Sequence, residues 1–322
     1  VNNLNQFIQA EKITKDLMPS YGSIQKLYAR DKDLITLCED KVIRIYVDKD
    51  ILFNADGKSQ LLATNRVLGT AEPFSGNYGI SKNPESFAAE SFRAYFTDKQ
   101  RGAVLRLSMD GLTPISDAGM SDFFRDNLID GQLLYGSYDA YKKDYNLTIN
   151  YGDNRGKTIS FSEKSKGWTS LKSFIPEFAI SSVNQYYTMD LGMLWKHHTN
   201  ETRNTFYDVF TESSVTPVLN TQPEVVKNFN TLNYEGSQSK IDLHLTDSDY
   251  YNLYEDQDAS GAGLGYVAGW YVSDVRTDKQ EGTLNEFIEK EGKWFNYIKG
   301  KPGEIDTAAF NFQGLGIVAQ PL

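Results

Sequence analysis

Cysteine and histidine are scarce in this chain of 322 residues, which contains one cysteine, Cys38, and three histidines. A single cysteine cannot form an intrachain disulfide or supply a four-cysteine zinc site, so both kinds of stabilised small domain are excluded. Cys38 ends the alternating apolar run Leu34–Cys38. This pattern predicts a small buried side chain rather than a reactive nucleophile.

Basic residues are also in deficit, because 33 Lys and Arg stand against 43 Asp and Glu and the net charge is −10 at pH 7. Dedicated duplex-DNA binders use Lys and Arg to displace counterions from phosphates, so the balance argues against that class. No apolar stretch approaches the roughly 18 residues of a membrane-spanning helix. Val1–Asn5 has neither the basic nor the apolar region of a signal peptide. We therefore predict no stable membrane insertion.

Motifs of the common catalytic and cofactor sites are missing. There is no Gly-x-Ser-x-Gly elbow and no Walker sequence, and Gly261–Gly265 does not match the dinucleotide fingerprint. His197 and His198 are adjacent, and neighbouring strand residues point to opposite faces, so they are not expected to share a metal. His244 lies in an alternating run that predicts a structural or surface role. The acidic run Thr246–Asp258 lacks EF-hand spacing, which favours a solvated surface or inter-subunit contact over a calcium site.

No catalytic, cofactor-binding or metal-binding residue is therefore predicted, and the protein is not expected to be an enzyme. With 43 acidic residues, pairs of carboxylates at the spacing of a glycosidase arise by chance. Such pairs alone do not indicate hydrolysis.

Aromatic residues are plentiful, with 20 Tyr, 18 Phe and 4 Trp making up 13% of the chain. Many of them lie in short alternating runs separated by charged or Gly-containing turns, the pattern of antiparallel strands. Four such runs between Ile24 and Phe53 have the size of one propeller blade. Similar units follow at Phe92–Ile115 and Gln132–Leu171, but their spacing is irregular. The sequence predicts a mainly β fold of incomplete or irregular propeller-like antiparallel sheets with a few short helices.

The pattern changes twice along the chain, which predicts three parts. Residues 1–20 have apolar positions at helical spacing and end at Pro19, so they predict an N-terminal helical arm. Residues 21–215 form the propeller-like β domain. Residues 216–322 form a smaller β-rich module.

Three local features depart from the strand pattern. Gly, Ser, Asn and Pro concentrate in residues 65–90, which predicts an insertion or a long loop between strands. Met120–Leu128 predicts a short helix with Ser121 as N-cap and Phe124 and Leu128 on one face. Thr283–Lys290 predicts a second helix, because Thr283 and Glu286 have the spacing of a capping box.

Six segments taken together carry a resemblance to a known family. They are Tyr95–Ile115, Gly167–Pro176, Trp195–Asn200, Phe229–Gly236, Gly269–Gly282 and Phe287–Ile298. Their order and number resemble the propeller-bearing tail nozzle proteins of tailed bacteriophages, called the muzzle in crAss-like phages.

The resemblance implies a structural protein of the virion tail. It implies a ring of copies, six in number, contacts with other phage tail proteins, and genome DNA that passes through without specific binding. The aromatic content suits large contacts between subunits. We expect the ten excess negative charges to face the lumen or the outer surface, where they repel DNA phosphates. The Val1 start would fit a piece of a longer polypeptide.

Two alternatives stay open. The first is a baseplate or host-glycan-binding protein, because the pairs Tyr250-Tyr251, Trp270-Tyr271 and Trp294-Phe295 could stack on sugars. The second is a glycan-cleaving propeller, which the residues favour less.

Overall fold

The structure is a computed structural model. The residues it describes are 14–30, 33–53, 59–153, 155–236, 239, 241–242, 266–267, 269–278 and 280–300. The chain divides into two compact units, residues 1–215 and 216–322, and each is described by itself. No helix in the described ranges is long and apolar enough to cross a membrane.

The described residues of the first unit form three four-stranded antiparallel sheets, one three-stranded sheet and one two-stranded sheet, each built from consecutive strands. Sheet 1 contains β1 (Ile24–Arg30), β2 (Asp33–Cys38), β3 (Val42–Phe53) and β4 (Ser59–Pro73). Sheet 2 contains β5 (Ala88–Ala89), β6 (Ala94–Asp98), β7 (Ala103–Ser108) and β8 (Gly111–Pro114). Sheet 3 contains β9 (Leu133–Asp139), β10 (Asp144–Gly152), β11 (Arg155–Ser162) and β12 (Gly167–Lys172). Sheet 4 contains β13 (Phe178–Ser182), β14 (Gln185–Asp190) and β15 (Met193–Lys196).

This up-and-down strand order is that of propeller blades. The predicted mainly β fold of antiparallel sheets is confirmed. The strands of the described ranges do not close into a propeller, so the arrangement is the incomplete or irregular one that the uneven spacing predicted.

Sheet 2 shows how strand alternation builds the core. Along β6, Tyr95 belongs to the apolar cluster shared with sheet 3, whereas Phe96 belongs to the cluster shared with sheet 1. On β7, Val104 belongs to the cluster shared with sheet 3 and Leu105 belongs to the cluster shared with sheet 1. Successive strand residues point to opposite faces, so a strand that is apolar at every position is buried on both sides.

One α-helix, α1 (Ser121–Asp130), follows sheet 2 and buries Phe124 and Leu128 in the cluster shared by sheets 2 and 3. The helix and its buried face are as predicted. The predicted N-cap is wrong, because the residue at that position is Met120, which makes no side-chain capping bond, and Ser121 is already helical. The ring of Phe124 lies 4.5 Å from that of Trp168, measured between centroids, and this contact fixes the helix on sheet 3.

Sheet 4 rests on sheet 3 through a cluster of Phe174, Ala179 and Tyr186. A hairpin of β16 (Thr205–Phe206) and β17 (Val209–Phe210) follows it and adds Phe206 and Tyr207 to this cluster.

The strands described in the second unit are all short. They are β18 (Thr231–Tyr234), β19 (Ile241–Asp242), β20 (Tyr266–Val267), β21 (Val272–Arg276), β22 (Glu281–Leu284), β23 (Ile288–Lys290), β24 (Lys293–Tyr297) and β25 (Lys299–Gly300). They pair in the orders β18-β24-β23, β21-β22-β25 and β19-β20.

Two local predictions are wrong. Thr283–Lys290 is not helical, because its two halves pair in different sheets as β22 and β23 while Leu284 and Phe287 are buried. Residues 65–90 are not all loop, since the long strand β4 continues to Pro73 and pairs with β3 through two irregular steps in register. Those irregular steps explain why no clean alternation is visible there.

The N-terminal arm is described only from residue 14. Thr14–Met18 has no regular secondary structure and Pro19–Tyr21 forms a 3-10 turn. The predicted helix for residues 1–13 lies outside the described residues.

Candidate functional site

The His197-His198 pair lies in a bend directly after β15 and joins sheets 3 and 4. The two ring centroids are 6.1 Å apart, and each Nε2 atom has its own partner. His197 Nε2 lies 2.7 Å from Thr188 Oγ1, and His198 Nε2 lies 2.7 Å from Asp139 Oδ2. The rings are therefore used in two separate contacts.

Asp139 is the centre of one of these contacts. Its carboxylate is fully buried at the end of β9, where Oδ1 accepts hydrogen bonds from the backbone N–H groups of Tyr141 and Lys142. The Tyr141 ring stacks on His198 with centroids 4.9 Å apart. The Asp139 carboxylate therefore stabilises the β9–β10 turn and, through its bond to His198, connects this turn to the segment that follows β15.

His197 lies in an aromatic surround made by Phe174, Tyr186, Phe206 and Tyr207. Tyr207 donates a hydrogen bond of 2.8 Å to Thr188 Oγ1. The Thr188 hydroxyl therefore has its hydrogen available for His197 Nε2, which then accepts as an unprotonated nitrogen.

The environment of His197 favours the same neutral form. Burial is the first cause that lowers the pKa of His197, to about 4, and the neighbouring charges of His198 and Lys172 lower it further. Burial also lowers the pKa of Lys172, which lies beside the same cluster. Burial raises the pKa of Tyr207 to about 12, so its hydroxyl keeps the hydrogen that it donates.

Further hydrogen bonds join a side chain of one of sheets 3 and 4 to the backbone of the other or of the turn beside it. The Tyr135 hydroxyl donates to the carbonyl of Ala179 and accepts from its N–H, both at 3.0 Å. Ser181 Oγ donates to the carbonyl of Tyr138 at 2.6 Å and accepts from the N–H of Ala140 at 3.0 Å. Because these bonds are directional, they fix the position of β13 along β9.

Sheets 2 and 3 are joined around Glu163. Its Oε1 accepts a hydrogen bond of 2.9 Å from the Tyr95 hydroxyl, and its Oε2 accepts one of 2.8 Å from Arg106 Nη1. Burial raises the pKa of Tyr95, and the bond to Glu163 adds to that effect. Tyr145 donates to the carbonyl of Ser86 at 3.0 Å in the same interface.

Sheets 1 and 2 are joined by Asp98 and Arg101. The fully buried Asp98 carboxylate accepts from the N–H of Gly79, from Ser81 Oγ and from Arg101 Nη1, the last at 2.9 Å. Arg101 also reaches Asp40 in the β2–β3 turn at 3.3 Å. An open cleft of about 540 Å³ lies beside Arg101 and Arg125. Both guanidinium groups in this cleft are already paired with carboxylates.

These three networks have the chemistry of structural bridges. Their carboxylates and imidazoles are engaged by partners from a neighbouring strand, sheet or turn. No group of three or more His, Cys, Asp or Glu side chains within the described part of the chain is placed to hold a metal ion. Cys38 is buried and unpaired in sheet 1, as predicted, and burial raises the pKa of its thiol.

One face of sheet 4 carries exposed apolar side chains from all three of its strands. Phe178, Met189 and Leu194 are cross-strand partners on β13, β14 and β15, and they are 46%, 41% and 62% exposed. Ile180, on the same face of β13, is 50% exposed. Cross-strand partners share one face of a sheet, so these four side chains form one apolar surface. We call it the sheet 4 outer face.

A second exposed apolar region follows the β16–β17 hairpin. Thr211–Asn230 contains no helix or strand, although the side chains of Val215 and Val218 are 74% and 88% exposed. Nearly half of the exposed large apolar side chains in the described residues lie between Phe178 and Phe229.

Of the remaining residues singled out from the sequence, some lie outside the described residues, and the others are exposed or half-buried in the second unit. His244, the acidic run Thr246–Asp258 and the loop Gly261–Gly265 lie outside the described residues. Tyr250-Tyr251 lies there too. Trp270 and Tyr271 are 47% and 40% exposed in the second unit. The indole of Trp294 donates to the carbonyl of Gly236 at 3.0 Å, and Phe295 beside it is half-buried.

The sequence did not single out Glu163, Asp139 or the sheet 4 outer face. Asp139 and His198 are 59 residues apart, and only the folded chain brings them together. The alternation of residues along β13 predicts that the strand has two faces, but it does not predict which part of the protein packs against each face.

Two family models match the chain. One, described as Crassvirus muzzle protein, matches residues 13–192, which is more than half of the chain. The other, described as Crassvirus muzzle protein C-terminal domain, matches residues 201–301. No curated protein matches.

Proposed function

Because the chain belongs to the crassvirus muzzle protein family, we propose that copies of it form a ring that lines part of the DNA ejection channel. The protein is a structural component of the virion tail. The resemblance carried by the six sequence segments is confirmed by the two family matches, which follow one another in the expected order along the chain. This ordered pair of matches is the observation that carries the proposal.

The bonding between sheets supports a structural role. A channel wall needs subunits that keep their shape while DNA passes, and the sheets of the first unit are joined by buried, directional polar bonds. Buried polar networks whose members have partners make a packed structure more rigid and more specific. Glu163, Asp98 and Asp139 each bond to groups from more than one segment.

The charge supports a conduit through which DNA passes without specific binding. With a net charge of −10, the chain repels phosphate at long range. We propose that acidic side chains face the lumen or the outer surface and that other tail proteins hold the ring in place.

The test is electron microscopy of the purified chain together with a DNA-binding assay. We expect rings with an open centre wide enough for a DNA duplex. Fluorescence anisotropy with a labelled duplex should give no dissociation constant tighter than the roughly micromolar limit of nonspecific binding at physiological salt. A chain that stays monomeric at every concentration, or a ring with a lumen lined by Lys and Arg, would refute the proposal.

A second candidate function is binding of host glycans, which the exposed Trp270 and Tyr271 favour. Exposed aromatic rings can stack on sugar faces. Binding on a glycan array that Trp270→Ala abolishes would support this candidate, and an array without signal would exclude it.

A further inference from the structure

In the part of the chain that the structure describes, the fourth strand position of sheet 4 is unfilled. Sheets 1, 2 and 3 each have four strands, whereas sheet 4 ends at β15 after three. Within the described residues, no strand pairs with the outer edge of β15.

The backbone of β15 shows which groups face this edge. The N–H of His197 donates to the carbonyl of Tyr186 on β14 at 2.9 Å. Hydrogen-bonding direction alternates along an antiparallel strand, so Met193 and Trp195 also face β14. The N–H and C=O of Leu194 therefore point outward.

This edge is apolar as well as open. The side chains of Met193 and Leu194 are 57% and 62% exposed, and Leu194 is continuous with the sheet 4 outer face. Proteins normally protect such edges with charge, proline or a covering segment, because an exposed apolar edge templates strand addition. On β15 only Lys196 supplies charge.

The chain also contains a segment with the properties of an added strand. Ser213–Leu219 has no regular structure, and Val215, Val218 and Leu219 are 74%, 88% and 56% exposed. Pro217 lacks an N–H, which an outermost strand tolerates. The exposed Glu212 directly precedes this segment and complements the positive charge of Lys196.

We propose that Ser213–Leu219 of one copy pairs as the fourth strand with β15 of a second copy and covers the edge of the sheet 4 outer face. Backbone hydrogen bonds would provide affinity, and the apolar side chains would provide the fit. The two contacting surfaces differ, so the contact is head-to-tail and closes into a ring when the rotation between copies allows it. The inference rests on the proposed ring and names the surfaces that join its copies.

The first test compares Leu194→Pro with Leu194→Ala by sedimentation velocity over a range of concentrations. Proline removes the outward N–H without breaking the β14–β15 ladder, whereas alanine removes only side-chain atoms. Leu194→Pro should weaken self-association about tenfold or more relative to Leu194→Ala, with an unchanged circular dichroism spectrum.

The second test does not depend on how β15 accepts proline. Val218→Asp changes the donor segment, which lies outside every strand, and it should weaken self-association to a similar extent. Each variant keeps the surface that the other lacks, so an equimolar mixture of Leu194→Pro and Val218→Asp should form heterodimers and no larger species.

The outcomes separate the two proposals. If the unchanged chain forms rings and both variants form them equally well, the strand-addition contact is overturned while the ring stands. If the unchanged chain stays monomeric, the ring and this contact fail together. If the variants lose self-association but their mixture forms no heterodimer, the donor and acceptor roles are wrong.

Discussion

Acidification should weaken the first unit through one side chain, His197. Its ring is 8% exposed, and its Nε2 accepts from Thr188 in an aromatic surround. Burial, followed by the charges of His198 and Lys172, lowers its pKa from 6.5 to about 4, while Asp139 acts weakly in the other direction. Replacing it with phenylalanine keeps a ring at this position and removes the titrating group.

The sign follows from the depressed pKa of the folded state. Between pH 6.5 and pH 4 the unfolded chain binds a proton at this residue and the folded chain does not, so stability falls as pH falls through this window. The loss is small at pH 7 and reaches about 2 kcal/mol at pH 5. Below pH 4 it is complete, at roughly 3 kcal/mol.

Equilibrium urea denaturation of the chain and of His197→Phe, followed by tryptophan fluorescence, measures this effect. Trp168 and Trp195 both lie in the first unit and report its unfolding. Carboxylates titrate in the same range in both proteins, so the relevant quantity is the difference between the two free energies of unfolding. This difference should change by about 2 kcal/mol in favour of His197→Phe between pH 7 and pH 5.

His198→Gln is the matched control. Burial is a larger cause of the low pKa of His197 than the charge of His198, so this variant should keep most of the pH dependence. A constant difference between the chain and His197→Phe from pH 7 to pH 5 would show that the ring is accessible to protons in the folded state. It would refute the reasoning from burial.

Two other measurements test the core directly. Tyr145→Phe should cost about 1 kcal/mol in urea denaturation, because the buried carbonyl of Ser86 loses its donor, and an unchanged midpoint would contradict that bond. Cys38 should react with a thiol reagent at pH 8 much more slowly in the folded chain than in urea, because burial, followed by the charge of Glu39, raises the pKa of its thiol. Equal labelling rates would show that sheet 1 opens readily.

Strands were predictable where alternation was regular. The alternating run Leu34–Cys38 lies within a residue of β2, because it is short and closely flanked by turns. Prediction was wrong where tertiary pairing outweighs local propensity. Thr283–Lys290 has a capping-box pattern, yet its apolar residues are buried by pairing in two sheets.

The bonds between sheets could not be predicted from the sequence. Glu163 accepts from Tyr95 and Arg106, which lie 68 and 57 residues away. The local sequence around Glu163 would equally suit an exposed glutamate, so nothing in it distinguishes Glu163 from the other acidic residues. The pair His197-His198 was visible in the sequence, but its partners Thr188 and Asp139 were not.

The positions of the polar bridges and of the apolar surface lead to the same view of assembly. Buried polar networks whose members have partners hold groups in one arrangement, so hydrogen bonds such as Tyr95–Glu163 fix how sheets 2 and 3 sit on each other. Sheet 2 is buried on both faces by this stacking, whereas the sheet 4 outer face and the edge at Leu194 are exposed among the described residues. The next apolar surface to pack on sheet 4 would therefore come from outside the first unit. In the ring proposed above, another copy of the chain supplies that surface, and the stacking of the sheets would then set the angle at which the copy is added.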